Sequence, residues 1–551
     1  MDAKTVRLVT VGHRNRTWTV AGLAIPAVFL GWFFIYPVTT IIVKGLSGGD
    51  GSPLETIVSV LGRGSVRRIV WFTLWQATVS TLLTLIVALP ATWVMAHRTF
   101  RGKETLRALL LVPFVLPTVV VGAAFTFALG PEGPLGVDLR RTVWAILIAH
   151  VFYNVPIVIR TVGAFWERIP EELTHAARTL GESPQRTFLR VTLPLLRPAL
   201  AAASAIVFLL TFTSFGVILI LGDLGHSTLE VEIWRQATGL LRFEVAAVLA
   251  LAQLTVVGVA LAFYTRYERA KSVRFTGSRI SSARPFARGR DRRIGVGILV
   301  VTVGGLIGPI LVLFRTAFRV DGAWTTDAFT SLSTRASTAG LFVPPSEALA
   351  NTARFSTAAV VIAVGIGAMI AVVLTRARPR VATLFDTVVM LPLGTSAVTI
   401  GFGMLVALDR PIDLRTSWIL LPIAHALVAI PFVVRSMTPA LRSISADIRA
   451  AAATLGASPR EIWRRIEFPI VKGAVIIGAA FATAVSVGEF GATSFLVRPD
   501  RPTLPIAIFR LLGQPGSINQ AQAAALATIL VGIVAVVAFV LQRSGDRGEQ
   551  L

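Results

Sequence analysis

Residues 171–194 read EELTHAARTLGESPQRTFLRVTLP, and residues 446–469 read ADIRAAAATLGASPREIWRRIEFP. Each stretch opens on a short Ala-containing run with acidic side chains near its start, where the helix dipole favours a carboxylate. Gly181 and Gly456 follow, residues that can end a helix in the left-handed conformation. Ser183-Pro184 and Ser458-Pro459 then read as the start of another helix, with Pro in the first turn, where its missing N–H is no loss. The pattern predicts two helix–turn–helix knuckles whose small side chains let a partner approach closely.

Outward from these knuckles the chain is apolar. Of 551 residues, 54% are hydrophobic and 15% charged, with a mean hydropathy of +0.73. Ordinary globular domains carry roughly 25% charge. A bilayer-spanning helix needs ~20 mostly apolar residues, and twelve runs qualify. They lie near 18–43, 69–96, 106–129, 142–163, 196–221 and 243–265, then near 294–314, 354–375, 381–407, 417–434, 473–496 and 522–542. Pro90, Pro113, Pro117 and Pro392 fall inside such runs and are tolerable where neighbouring helices satisfy the freed carbonyls. The first run is too long for a signal-peptide core and reads as an uncleaved span. The expectation is an all-α integral membrane protein of 12 transmembrane helices. Zero Cys excludes disulfide scaffolds and iron–sulfur clusters.

The net charge of +24 does not imply nucleic acid, because the basic residues are not one surface. They cluster in short connections between apolar runs, as topology determinants do. Lys and Arg are richest in the even-numbered connections and the N-terminal tail, so the positive-inside rule puts those segments, and both termini, in the cytoplasm.

The chain also repeats itself. Ala149-His150, Pro156 and Arg160 return 275 residues later as Ala424-His425, Pro431 and Arg435. Leu180-Gly181 returns as Leu455-Gly456, Phe215-Gly216 as Phe490-Gly491, and Thr228-Leu229 as Thr503-Leu504. Earlier in each half the offset is 279 (Thr73 with Thr352, Pro113 with Pro392, Gly122 with Gly401), which implies one four-residue indel. Six spans per copy make the repeats parallel, about an axis along the membrane normal that accommodates a path between them. The expected domains are a first unit over 1–265, a basic cytoplasmic linker over 266–293 rich in Ser, Arg and Gly, and a second unit over 294–551.

Both knuckles carry the pattern Ala-Ala, three residues, Gly, nine residues, Val/Ile, one residue, Leu/Phe-Pro. This resembles the EAA loop of ABC importer permeases, binding-protein-dependent type. The stretches 149–156, 212–216 and 488–491 make the fused form similar to the thiamine-type and ferric-iron-type permeases. The resemblance implies the type I ABC importer permease fold, a translocation path for a small solute, and no catalytic or metal site in this chain. It implies two copies of a cytoplasmic ABC ATPase that use the ATP, no cofactor bound here, and an extracytoplasmic solute-binding protein. One fused chain per complex in a bacterial cytoplasmic membrane, with lipid around it, completes that picture. The residues carried over as ATPase-coupling are His175, Ala176, Ala177, Arg178, Gly181, Ser183, Pro184, Ala450, Ala451, Ala452, Gly456, Ser458 and Pro459. The family's Glu is replaced by His175 and Ala450, so docking rests on backbone shape, the two glycines and Arg178, Arg186, Arg460 or Arg464. The His150 region and residues 228–233 favour thiamine, with ferric iron as the alternative.

No Gly-x4-Gly-Lys-Ser/Thr loop occurs, so the sequence has no phosphate cradle of that kind. Ionisable groups at bilayer depth are costly and invite a functional question. Glu489 lies in the eleventh span where the first half has Ser214, and both are path candidates; on the path Glu489 would favour a cationic solute, while a neutral or hydrogen-bonded interhelical Glu is the reading set ahead of that one. His150 and His425 read as helix–helix hydrogen-bonding residues. A reading from another class, an ion-coupled secondary transporter with six-plus-six repeats, leaves the paired knuckles unexplained.

Overall fold

Long apolar runs without internal breaks become long helices, because in lipid each backbone polar group must be satisfied within the segment. A computed structural model describes residues 14–47, 52–134, 136–271, 284–287, 289–334 and 341–548. Ten of its helices are long and apolar enough to span a bilayer unbroken, at Gly22–Ser47, Gly64–His97, Val143–Trp166, Pro184–Phe212, Phe243–Tyr264, Arg290–Ala317, Pro345–Arg376, Leu420–Arg442, Arg460–Gly488 and Ser517–Leu541. The count reaches 12 only when two bent pairs each serve as one span. Lys103–Val115 meets Thr118–Ala128 at 97°, and Pro379–Gly394 meets Ala397–Ala407 at 99°. Pro117 is therefore a break and not a tolerated interior proline. Its ring disfavours helical geometry at Leu116, which is extended with ψ 136°. Pro90, Pro113 and Pro392 do lie inside helices.

The second helix of each knuckle is not a separate piece. Pro184–Thr187 runs through a π-turn at Phe188–Thr192 into Leu193–Phe212, and Pro459–Ile462 runs through one at Trp463–Glu467 into Phe468–Gly488. Pro194 and Pro469 lack an N–H for the ordinary ladder, and the wider i→i+5 turn just before each accommodates that loss. These two spans thus begin, and end, earlier than the hydropathy runs suggest.

By contact the chain divides into two compact units, each holding segments from both repeats. One comprises Ile41–Thr352 and Val487–Ala538. Phe212, Ile146, Leu196 and Ile218 are fully buried in it, and Gly122 gives room to Ile220, whose Cδ1 would sit 2.7 Å from an added Cβ. A two-residue hairpin turn at Asp321-Gly322, both with positive φ, joins strand Arg319–Val320 to Ala323–Trp324, as the Asp-Gly pair favours. The other unit comprises Ala353–Ser486 with the described parts of Met1–Thr40 and Phe539–Leu551. Phe402 and Ile430 are buried there, and Gly367 and Gly478 both abut Val433.

The four-residue indel has a place. Leu139 N–H donates to Leu129 O at 2.9 Å, and Leu414 N–H donates to Leu408 O at 3.0 Å, closing equivalent loops of unequal length. Each loop holds an Asp-x-Arg bracket. Hydrogen bonds from the Arg140 side chain hold Asp138 down at about 2, and Arg415 lowers Asp413 in the same way. Of the linker 266–293, residues 272–283 and 288 lie outside the described residues. Its described ends are ordered into neighbours: the sixth span's helix continues to Lys271, and Arg284–Pro285 pairs in parallel with Arg98–Thr99.

Candidate functional site

The first knuckle helix is Glu171–Thr179 and the second Ala446–Thr454. Ser445 caps the second by accepting from Ile448 N–H at 3.3 Å, while the first follows Pro170 and has Glu171 and Glu172 in its opening turn. Both end in the same way. Gly181 N–H donates to Arg178 O and Glu182 N–H to Ala177 O; Gly456 N–H donates to Ala453 O and Ala457 N–H to Ala452 O. These paired bonds satisfy carbonyls that a helix end leaves open. They require positive φ, which is +87° at Gly181 and +85° at Gly456. No atom lies within 4 Å of a Cβ added at either glycine, so conformation and not crowding selects it. Ser183 accepts from Arg186 N–H, and Ser458 and Glu461 exchange backbone and side-chain bonds in a capping box.

His175, Ala176, Arg178, Gly181, Ser183 and Pro184 are exposed, as are Ala450, Ala451, Gly456 and Ser458. Ala177 is buried and Ala452 half-buried, so one alanine of each pair packs inward. Pro459 opens its helix. Composition alone passes over the residue before each glycine. Leu180 is 86% and Leu455 89% exposed, among the most exposed large apolar side chains described. Their recurrence at the 275-residue offset was the available signal.

The two helices are anchored by different chemistry. Arg449, on the second, donates from Nε to Glu467 at 2.6 Å, and Arg376, ending the span Pro345–Arg376, donates from Nη2 to both Glu467 oxygens at 2.9 Å. Arg449 also reaches the carbonyls of Ile444 and Leu441. The repeat offsets put His97, Thr174 and Thr192 where these three charges stand, so the first half has no such triad. There Glu171 pairs instead with linker residue Arg284 at 2.8 Å and lies 3.8 Å from His175, while Arg98 pairs with Asp291 at 2.9 Å.

Within the membrane-spanning region His150 lies between Ser80 (3.0 Å to Nδ1) and Ser214 (2.9 Å to Nε2), tying three segments together. His425 Nδ1 lies 2.8 Å from Ser486, which in turn donates to Ser356. The histidines thus make the helix–helix bonds expected of them, through non-equivalent serines. Glu489 is buried just past the end of Phe468–Gly488. Its carboxylate accepts from the N–H groups of Ala492 (2.8 Å) and Thr493 (2.9 Å) and from the Thr493 hydroxyl, holding the short helix Thr493–Leu496 at the break.

Two repeated sequence marks become one repeated bond. Leu229 N–H donates to Thr73 Oγ1 at 3.1 Å, and Leu504 N–H to Thr352 Oγ1 at 2.8 Å. Each bond fixes the start of a short helix, Leu229–Trp234 or Leu504–Leu512, that carries an aromatic residue at equivalent positions, Trp234 and Phe509. These meet Phe215 and Phe490, so four residues paired by the repeat form one aromatic cluster.

A family model described as "Binding-protein-dependent transport system inner membrane component" matches residues 88–273 and again 363–548. The thiamine transport system permease protein of Brucella suis is 28% identical over 483 residues, covering 84% of this chain and 85% of that protein. Its namesake in Escherichia coli K12 is 27% identical, covering 87% and 89%. A probable ABC transporter permease protein of Sinorhizobium fredii is 25% identical over 90% of each chain.

Proposed function

Since this chain belongs to the binding-protein-dependent transport system inner membrane components, we propose that it forms the path of an ABC importer for thiamine. The observation that carries the reading is the doubled family match within one chain that aligns, nearly end to end, with two permeases named for thiamine transport. The chain is a multi-pass membrane permease with the helical, twice-repeated architecture of type I importers. In this reading both termini are cytoplasmic, and the helices Glu171–Thr179 and Ala446–Thr454 seat in two copies of an ATPase subunit. Identical glycine-capped tips with an exposed leucine at each support that role. ATP hydrolysis falls to the partner, since the sequence lacks a Gly-x4-Gly-Lys-Ser/Thr loop. An extracytoplasmic binding protein delivers the solute. Ser214 and Glu489 belong to the path through their neighbours Phe215 and Phe490.

The mechanism follows from the connectivity. The second helix of each knuckle continues into a span that ends beside the aromatic cluster, so a tilt that the ATPase imposes on the knuckle and its turn moves Phe212 or Gly488 at the other end. A rigid helix carries displacement along its length. The test is reconstitution of the chain with its cognate ATPase and binding protein in liposomes at clamped membrane potential. Thiamine accumulation that requires internal ATP is expected. Accumulation of ferric iron and not thiamine overturns the substrate, and accumulation independent of ATP overturns the ABC reading in favour of an ion-coupled carrier.

A further inference from the structure

Three helix breaks converge on one spot within the larger unit. They are Leu116-Pro117 before Thr118–Ala128, Thr213 to Phe215 before Gly216–Leu221, and Glu489 to Ala492 before Thr493–Leu496. A Cβ on Gly488 would come within 2.9 Å of Pro117 Cγ, and one on Gly216 would meet Thr118 and lie 3.3 Å from Phe490 Cδ1. Interrupted helices are where transporters place solute contacts, because the freed backbone groups need a polar or protein-lined setting.

At this spot the aromatic cluster closes on itself. Phe215 stacks on Phe490 with centroids 5.4 Å apart and planes at 28°. Phe490 contacts Phe509 at 5.5 Å, Phe509 meets Trp234 edge to face at 6.4 Å and 89°, and Trp234 returns to Phe215 at 6.2 Å. Phe215 and Phe490 come from opposite repeats and are buried. A displacement of one repeat away from the other at this level parts that stack. Trp234 Nε1 is buried without a hydrogen-bond partner, although a buried indole N–H normally has one. Arg510, next to Phe509 in sequence, likewise has a buried, unpartnered Nη1. Aromatic faces attract a cation whose charge is spread over a ring.

We propose that the Phe215–Phe490 stack, framed by Trp234 and Phe509, is a gate that a planar, cationic heteroaromatic solute opens by exchanging ring–ring stacking for ring–solute stacking. The unpaired indole N–H supplies a donor for a ring nitrogen of that solute. The inference rests on the thiamine reading above and adds the residues that select the ring. It is tested on the reconstituted complex with ATPase and binding protein. Phe215→Leu with Phe490→Leu keeps apolar bulk and removes both rings; Phe215→Tyr with Phe490→Tyr keeps the rings. The Leu pair is expected to lower kcat/KM for thiamine at least tenfold while the complex still co-purifies with its ATPase, and the Tyr pair to stay within threefold of the parent. Parental uptake by the Leu pair overturns the gate but leaves the importer standing, whereas a parent complex that never takes up thiamine defeats the underlying reading. Because the chain has no cysteine, Phe215→Cys with Phe490→Cys gives a second test free of background. A short thiol cross-linker across the pair is expected to stop uptake and a reductant to restore it; transport through the cross-linked protein refutes the proposal.

Discussion

Glu467→Gln is the most informative single change. The Glu467 side chain is 2% exposed and takes three charge-assisted hydrogen bonds, two from Arg376 and one from Arg449. Glutamine keeps the volume, removes the charge and turns one acceptor into a donor facing guanidinium. Breaking a fully buried pair costs about 3–5 kcal/mol. Here the arginines are 52% and 31% exposed, so water recovers part of that. The half-exposed Arg376 contact is worth about 1 kcal/mol or less. The less exposed Arg449 contact is worth about 1.5–2 kcal/mol, within the range for bonds to charged groups. The sum, about 1.5–3 kcal/mol, converts at about 1.4 kcal/mol per decade to a loss of roughly 10- to 150-fold in local protection. Hydrogen exchange of the purified protein reads it directly in Ala446–Thr454. The helix Glu171–Thr179 is the internal control, since its half carries His97, Thr174 and Thr192 in place of the triad. Unchanged exchange in 446–454, or an equal rise in both helices, refutes the reasoning.

Gly181→Ala and Gly456→Ala each force a Cβ into left-handed backbone at about 1–2 kcal/mol; ATP-driven uptake should fall for both, with Asn milder than Ala, and equal uptake for Ala and parent argues against a required cap. Leu180→Asp with Leu455→Asp should abolish co-purification with the ATPase while shifting permease stability by no more than about 0.5 kcal/mol, as for ordinary surface changes. Retained co-purification removes the leucines from the contact. The Asp138 carboxylate, held at about 2 by Arg140, contributes stability above its ordinary value near 4 and loses it as pH falls through about 2. Asp138→Asn should therefore raise exchange lability of its loop at pH 5–7, by an amount that shrinks as pH falls toward and through about 2; a difference that does not shrink in acid means the bracket is not electrostatic.

How much of this was legible without coordinates depends on the range of the signal. The spans follow from local hydropathy, because lipid rewards any unbroken run of about 20 apolar residues. The glycine caps of both knuckles follow from local backbone preference, and Gly181 and Gly456 stand in the left-handed region their position in the motif predicts. The indel was countable from offsets alone, though not its loop. Whether a proline kinks or breaks a span was not legible. Pro113 and Pro117 look alike in a hydropathy run, yet only the second sits at a 97° bend. The equivalent 99° bend of the second half falls at Thr395-Ser396, with no proline at the break.

Local composition determined the apolar helices and the two glycine-capped knuckles, since each of those is decided within a few turns of chain, and the 275-residue offset between like stretches showed by itself that the bundle is doubled. Tertiary structure alone joined Arg376 and Arg449 to Glu467, Thr73 to Leu229, and Phe215 to Phe490. Glu467 lies at the unspecified position between Val/Ile and Leu/Phe-Pro in the knuckle motif, and only its partners give it a role. Pairings between residues tens to hundreds of positions apart leave no periodic trace in a single sequence, because they are selected by the packing of whole helices and not by the turn in which each residue sits.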